Sequence, residues 1–290
     1  MNALASRLVA RPDSTLVDRA LLALADSPRP SGWLAANVLG LGRAPEMVAD
    51  RLAAALLGAD PRVQRLADGR WARVSVAVGA PLLEECAFAV VDVETTGMSP
   101  LRSDRITEIA VVLVEGERRE LVFDSLVNPG RPIPAWVSAI TGITDGLVRN
   151  APRFEEVAES VLDSLVGRVF VAHNARFDWR FISAELARVR ALRLEGAPLC
   201  TVRLARRLVA GVESCALESL TEWFGLTNSA RHRAAGDALV TAEVLSRLVK
   251  LARQEGARTL SDLETLQRRG RRRGVRRAGG GGRSGGRAVP

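Results

Sequence analysis

Among 290 residues there is no tyrosine, one lysine (Lys250) against forty arginines, two histidines (His173 and His232) and three cysteines. Cys86, Cys200 and Cys215 are far apart and odd in number, which excludes a disulfide framework and a paired Cys-x-x-Cys zinc site; reduced thiols are expected. No apolar stretch reaches the ~20 residues that span a bilayer, because Arg, Asp or Glu interrupts every candidate, so no membrane partner is expected. Arg7 and Arg11 fall where an export signal would carry its apolar run, which makes the cytoplasm the expected location. The scarcity of lysine reads mainly as a genomic compositional bias.

Hydrophobic residues make up 47% of the chain, enough for a real core, and the length suits one catalytic domain with a smaller module. The formal net charge is +8, yet residues 268–290 hold nine Arg and no acid, so the rest of the chain is nearly neutral. The Arg/Gly-rich segment 269–290 cannot bury a core and is expected to be disordered. It serves either to hold phosphates through charge and counterion release or as a solvated tail that aids solubility.

Residues 1–80 read as a small, mainly helical module. Leu16 to Ala25 has helical spacing, Ser31 can cap a second helix after Pro28 and Pro30, and a third follows Pro45 and stops at Gly58. Asp68-Gly69 between the β-prone runs 63–66 and 71–74 is a hairpin signal. Three helices closed by a hairpin resemble a winged helix-turn-helix, whose third helix would enter the major groove in a DNA-binding version. That helix is expected to expose Glu46, Asp50 and Arg51, a poor match for phosphates, so docking to protein or a purely structural role stands beside DNA binding. Residues 81–86 read as a linker.

From residue 87 the pattern alternates strand and helix. Ala87–Val93 is a near-continuous apolar run, as in a central strand buried on both faces. Strands are expected at 105–114, 120–127, 169–172 and 199–201, and helices at 134–140, 154–166, 178–190, 234–254 and 259–268. This is an α/β domain with a mixed sheet over 87–255, followed by a C-terminal helix at 256–268.

Three short segments carry the chemistry. Asp92 and Glu94 are two apart on a strand, so both carboxylates share one face, and Thr95-Thr96-Gly97 follows as a turn through which backbone amides can approach a ligand. His173 and Asp178 lie five apart where a strand passes into a helix; capping by Asn174 or Asp178 also fits, and His173 reads as a strand-end histidine satisfied by a backbone carbonyl. His232 and Asp237, again five apart, open a long helix. In one continuous helix they would point ~140° apart, so His232 belongs on the preceding loop. An acid at Asp237 alone would also suit the helix dipole. Ala234, Ala235 and Gly236 are small enough for that helix to approach the sheet closely.

Together the three segments resemble the exonuclease motifs of the DnaQ-like, or DEDDh, family of 3′-to-5′ exonucleases, over roughly residues 87–250. The resemblance implies an RNase H-like fold, here a mixed five-stranded sheet flanked by helices. It makes Asp92, Glu94, Asp178 and Asp237 the metal-binding acids of two divalent ions, Mg²⁺ or Mn²⁺, and His232 the general base. Imidazole ordinarily titrates near pH 6.5, suiting that role near neutrality. The sister subclass with tyrosine in place of that histidine is excluded, because the chain has none. By the same resemblance Val93, Thr95, Thr96, Gly97, Met98, Ile140, Asn174 and Phe177 hold the terminal nucleotide, with Met98 or Ile140 stacking on bases of a frayed or single-stranded end. Thr141 stands where many members carry histidine.

The implied activity is release of nucleoside 5′-monophosphates from the 3′ ends of DNA, in proofreading beside a DNA polymerase or in repair. Trimming of RNA 3′ ends, and a nucleic-acid-binding module with a vestigial nuclease domain, are the alternatives. Leu263-Glu-Thr-Leu-Gln267 does not read as a clamp-binding segment.

Overall fold

A computed structural model describes residues 8–12, 15–24, 27–60, 62–73 and 80–268. The Arg/Gly-rich tail at 269–290, and the ends of the first helix and of the hairpin expected at Ala25 and Val74, lie outside the described residues.

Strand β1 (Val9–Pro12) opens the described chain, followed by helices α1 (Thr15–Ala23), α2 (Ser31–Asn37) and α3 (Glu46–Leu57) and the hairpin β2 (Val63–Arg65) and β3 (Trp71–Arg73). The hairpin turns at Gly69, whose φ of +82° suits a residue without a Cβ. Leu21, Leu24, Leu34, Leu57, Val63 and Trp71 form a small core of their own. A polar chain fixes its geometry: Trp71 Nε1 donates to Ser31 Oγ at 3.0 Å, and Ser31 donates to Asp50 at 2.5 Å. Asp50 also accepts from Arg65 at 2.5 Å, which ties α3 to the hairpin. Asp50 is therefore spent inside the module, while the exposed face of α3 carries Glu46 and Arg51, as expected, together with Met47 and Val48.

The second part begins at a short 3-10 turn, Leu83–Glu85, and enters β4 (Ala87–Thr95), β5 (Ile106–Glu115) and β6 (Arg118–Leu126). Then come α4 (Ala135–Thr141), α5 (Asp145–Val148), α6 (Phe154–Leu165), β7 (Val169–Ala172), α7 (Arg176–Arg190), β8 (Leu192–Glu195), β9 (Leu199–Cys200), α8 (Thr201–Leu208), α9 (Leu217–Trp223), α10 (Ala234–Gln254) and α11 (Leu260–Arg268). The sheet order is β6-β5-β4-β7-β9, antiparallel across β6, β5 and β4 and parallel across β4, β7 and β9. This is the mixed five-stranded α/β sheet the alternation predicts.

Alternation along β4 and β5 sends Phe88, Val90, Ala110 and Val112 against α8, α10 and α11, and Ala89, Val91, Ile109 and Val111 against α6 and α7. Burial on both faces explains why these strands read as nearly unbroken apolar runs. The strands β1 and β8, which pair antiparallel with Val9 opposite Glu195, the short α5, and α9, which stands beside α10, have no counterpart in the sequence reading.

Residues 81–86, expected as a linker, pack tightly. Leu83 is buried in the core, its amide donates to the Arg258 carbonyl at 2.9 Å, and Leu260 donates to Pro81 at 3.0 Å. The C-terminal helix α11 is likewise part of the same body: Leu260, Leu263 and Leu266 are buried with α8. Gln267 accepts from the Cys200 amide at 3.0 Å and donates to Pro198 at 3.2 Å, covering the edge of β9. Leu263 to Gln267 is thus committed to the core. No helix among the described residues is long and apolar enough to cross a membrane.

Candidate active site

The carboxyl ends of β4 and β7 and the amino end of α10 meet at one point. Asp92 and Glu94 project from the α10 side of β4, as two residues of one strand must. Asp237 sits in the first turn of α10, and carboxylate oxygens of Asp92, Glu94 and Asp237 all lie within 4.8 Å of one another. Asp178, in the first turn of α7, is outside that triad but beside it, 3% exposed. The parallel ladder of β4 and β7 ends at Val91 and Ala172, and the Val93 amide beyond it donates to the Asp178 carboxylate.

Electrostatics confirm how crowded these acids are. Burial, then repulsion from Asp178, Asp237 and Glu94, pushes the Asp92 carboxyl well above the usual range. Burial and Asp237 and Glu108 push Glu94 up to about 7, against the pull of Arg233. Burial raises Asp178 to about 8. Burial also raises Asp237, opposed by hydrogen bonds from Asn228 and the His232 amide. Buried like charges resist ionising together unless a cation joins them. An all-oxygen set of this kind fits a hard divalent ion, and the acids would ionise on binding it.

His232 precedes α10 at φ +56°, and its amide donates to Asp237 Oδ2 at 3.2 Å while Asn228 Nδ2 donates to Oδ1 at 2.5 Å. The side chains of His232 and Asp237 both line a cleft of about 470 Å³ with Asp92, whose far wall is α9 and the segment after it, including Leu217, Glu218 and Leu226. Gly236 is required by this arrangement. A Cβ there would lie 2.1 Å from the Ala230 carbonyl, so the close approach is to the preceding loop rather than to the sheet.

His173 also borders the cleft, but its ring is occupied. Nδ1 lies 2.9 Å from Thr201 Oγ1, the ring bonds the Cys215 backbone, and burial lowers its pKa to about 4. It therefore stays neutral and pins the loop before α9.

The turn after β4 uses its own polar groups. Thr95 Oγ1 donates to the Gly97 carbonyl at 2.5 Å, and Thr96 exchanges hydrogen bonds with the Arg105 backbone. A Cβ on Gly97 would overlap the Asp104 carboxylate at 2.5 Å, a packing reason for glycine that the sequence did not reveal. Met98 and Ile140 are 69% and 53% exposed, Asn174 is exposed at φ +73°, and Phe177 packs on Phe181 at 4.9 Å. None of Val93, Thr95, Thr96, Gly97, Met98, Ile140, Asn174 and Phe177 lines the cleft. Thr141 is buried and caps α4, donating to Val137 and accepting from Ile143, each at 3.1 Å. Sequence reasoning missed Asn228, Glu108 and Arg233. An acid inside the apolar run of β5 was the one available signal.

A family model, RNase_T, described as an exonuclease, matches residues 89–245, more than half of the chain. The chain is 38% identical over 179 residues to the 3′-5′ exonuclease DinG of Bacillus subtilis, covering 62% of this chain and 19% of that protein. It is 37% identical over 168 residues to the DNA polymerase III subunit epsilon of Treponema pallidum, covering 57% and 78% respectively. The chain spans only 13% to 27% of the length of the large relatives it matches. Escherichia coli exonuclease I, solved in complex with a dA16 oligonucleotide, superposes with a TM-score of 0.50 at 19% identity over 63% of this chain and 42% of that one, a likeness of fold.

Proposed function

The chain belongs to the RNase_T exonuclease family, and from that premise we propose that it is a metal-dependent 3′-to-5′ exonuclease that releases nucleoside 5′-monophosphates from single-stranded or frayed 3′ ends of DNA. The observation that carries this reading is the convergence of Asp92, Glu94 and Asp237 within 4.8 Å, with buried Asp178 beside them and His232 on the same cleft.

Asp92, Glu94, Asp178 and Asp237 would hold two divalent ions, Mg²⁺ or Mn²⁺, which would supply Lewis acidity for activating the attacking water and stabilising the leaving 3′ oxygen. His232 takes the proton of the water as its oxygen attacks the terminal phosphorus and the bond from phosphorus to the 3′ oxygen breaks. Asp237 orients His232 by accepting its backbone amide. Exposed Met98 and Ile140 offer apolar surface on which a terminal base can stack. By the family resemblance Asn174, Phe177 and the turn Thr95 to Gly97 would approach the 3′ end from outside the cleft, and Val93, its side chain buried on the α6 and α7 side, only through its backbone. Kinship with epsilon subunits supports a place beside a DNA polymerase, in proofreading or repair.

Helices α1 to α3 and the hairpin act as a separate module with their own core, joined to the nuclease part by Arg62 to Glu195 and Arg193 to Asp18 ion pairs at 2.8 and 2.6 Å, whereas Leu8 and β1 belong to the nuclease part. Exposed Met47 and Val48 on α3, with Asp50 consumed internally, favour docking to protein over reading of duplex DNA.

The test is release of labelled mononucleotide from matched DNA and RNA oligonucleotides with paired and mispaired 3′ ends, with Mg²⁺ or Mn²⁺. Asp92→Asn and Asp237→Asn should abolish release while leaving the circular dichroism spectrum unchanged. Full Mg²⁺-dependent release by both variants would overturn the reading, and faster attack on RNA would replace DNA as the substrate.

A further inference from the structure

Glu108 is a buried acid beside the site that no metal role explains. It lies in β5 directly opposite Glu94, within a strand otherwise apolar on that face, and its side chain is 2% exposed. A buried carboxylate there demands partners, and it has them. Arg233 Nε reaches both carboxylate oxygens, at 3.0 and 3.1 Å, its Nη2 makes a further contact, and the Ala234 amide donates to Oε2 at 2.8 Å. These bonds engage both oxygens of Glu108 and leave it a poor competitor for a cation.

Those partners are the N-cap residue and first residue of α10, next to His232. From the other side, Asp237 accepts the His232 amide. The His232 turn, in the left-handed region at φ +56°, is thus held between a carboxylate on the sheet and one on the helix. Arg233 itself is 45% exposed in its side chain, so without Glu108 it can swing into water and release the turn.

We propose that Glu108 is a positioning residue: by gripping Arg233 and the Ala234 amide it sets the place of the His232 imidazole over the acid cluster. The activity arm of the test rests on the exonuclease reading above; the spectroscopic arm does not.

Glu108→Gln keeps the shape and an acceptor for Ala234 but removes the charge that holds the guanidinium. We expect its kcat to fall on the order of 10- to 100-fold, as for small misplacements of a reacting group, with KM for the oligonucleotide within about twofold. With only two histidines in the chain, their imidazole signals can be followed by nuclear magnetic resonance. The His232 signals should move in Glu108→Gln while those of His173 stay in place. Wild-type kcat in this variant, or unmoved His232 signals, overturns the proposal. If Glu108→Gln does not fold, Arg233→Lys decides in the same way, since it keeps the charge but not the forked contact. Should the wild-type protein cleave no oligonucleotide, the exonuclease reading fails, and the His232 signals alone decide the role of Glu108.

Discussion

In metal-free protein, Glu94→Gln should stabilise the fold at pH 8.5 and have little effect near pH 4.5. Burial, with Asp237 and Glu108 nearby, moves the Glu94 carboxyl from 4.5 to about 7. The unfolded chain loses this proton near 4.5 and the folded chain keeps it until about 7, so between those values the native state binds more protons. Stability therefore falls as pH rises through that window and levels off above it. At ~1.36 kcal/mol per pH unit, the span from 4.5 to about 7 amounts to a penalty of about 3 kcal/mol at high pH. Glutamine carries no proton to lose and escapes it. Urea unfolding in EDTA at both pH values measures the difference. Adding Mg²⁺ should largely close the gap: a ligand at a hundred times its Kd stabilises the native state by about 2.7 kcal/mol, close to the penalty itself, and the variant would lack one of the proposed ligands. Equal stability of the two proteins at pH 8.5 in EDTA, or a gain that ignores pH, would refute the reasoning.

His232→Asn is the cleanest removal of the proposed base, because asparagine tolerates the left-handed conformation at φ +56°. Its kcat should drop on the order of 10²- to 10⁴-fold with unfolding temperature unchanged; single-turnover rates within tenfold of wild type would count against His232 as base. Gly236→Ala should gain helix propensity yet lose overall, because its Cβ would meet the Ala230 carbonyl at 2.1 Å. Displacing that loop carries Asn228 and His232 with it, so a loss of about 1–3 kcal/mol and of most activity is expected in paired denaturation and rate measurements. A more stable, fully active variant would contradict it.

Much of the sheet and its helices was legible because strand and helix periodicities are local. The apolar run Ala87–Val93 announced a strand covered on both faces, and β4 is that strand. Short ribbons such as β1 with β8 span four residues each and carry no such signal. α9 escaped because Leu217, Leu220, Thr221 and Phe224 follow a loop whose length gave no boundary. The small size of Ala234 and Gly236 was visible, but not that Gly236 makes room for Ala230 rather than for the sheet.

Local periodicity alone placed Asp92 and Glu94 on one strand face, Asp178 at the start of one helix, and His232 ahead of another whose first turn holds Asp237. Each statement needs only the repeat of a strand or a helix. Tertiary structure decided that Asp237 comes within 4.8 Å of the strand acids while Asp178 stands one step aside on the Val93 amide. It also decided that His173 is spent on Thr201 and that α11 closes the core. Most tellingly, Glu108 found its meaning 125 residues away in Arg233. A buried charge is silent in sequence until register and helix packing choose its partner.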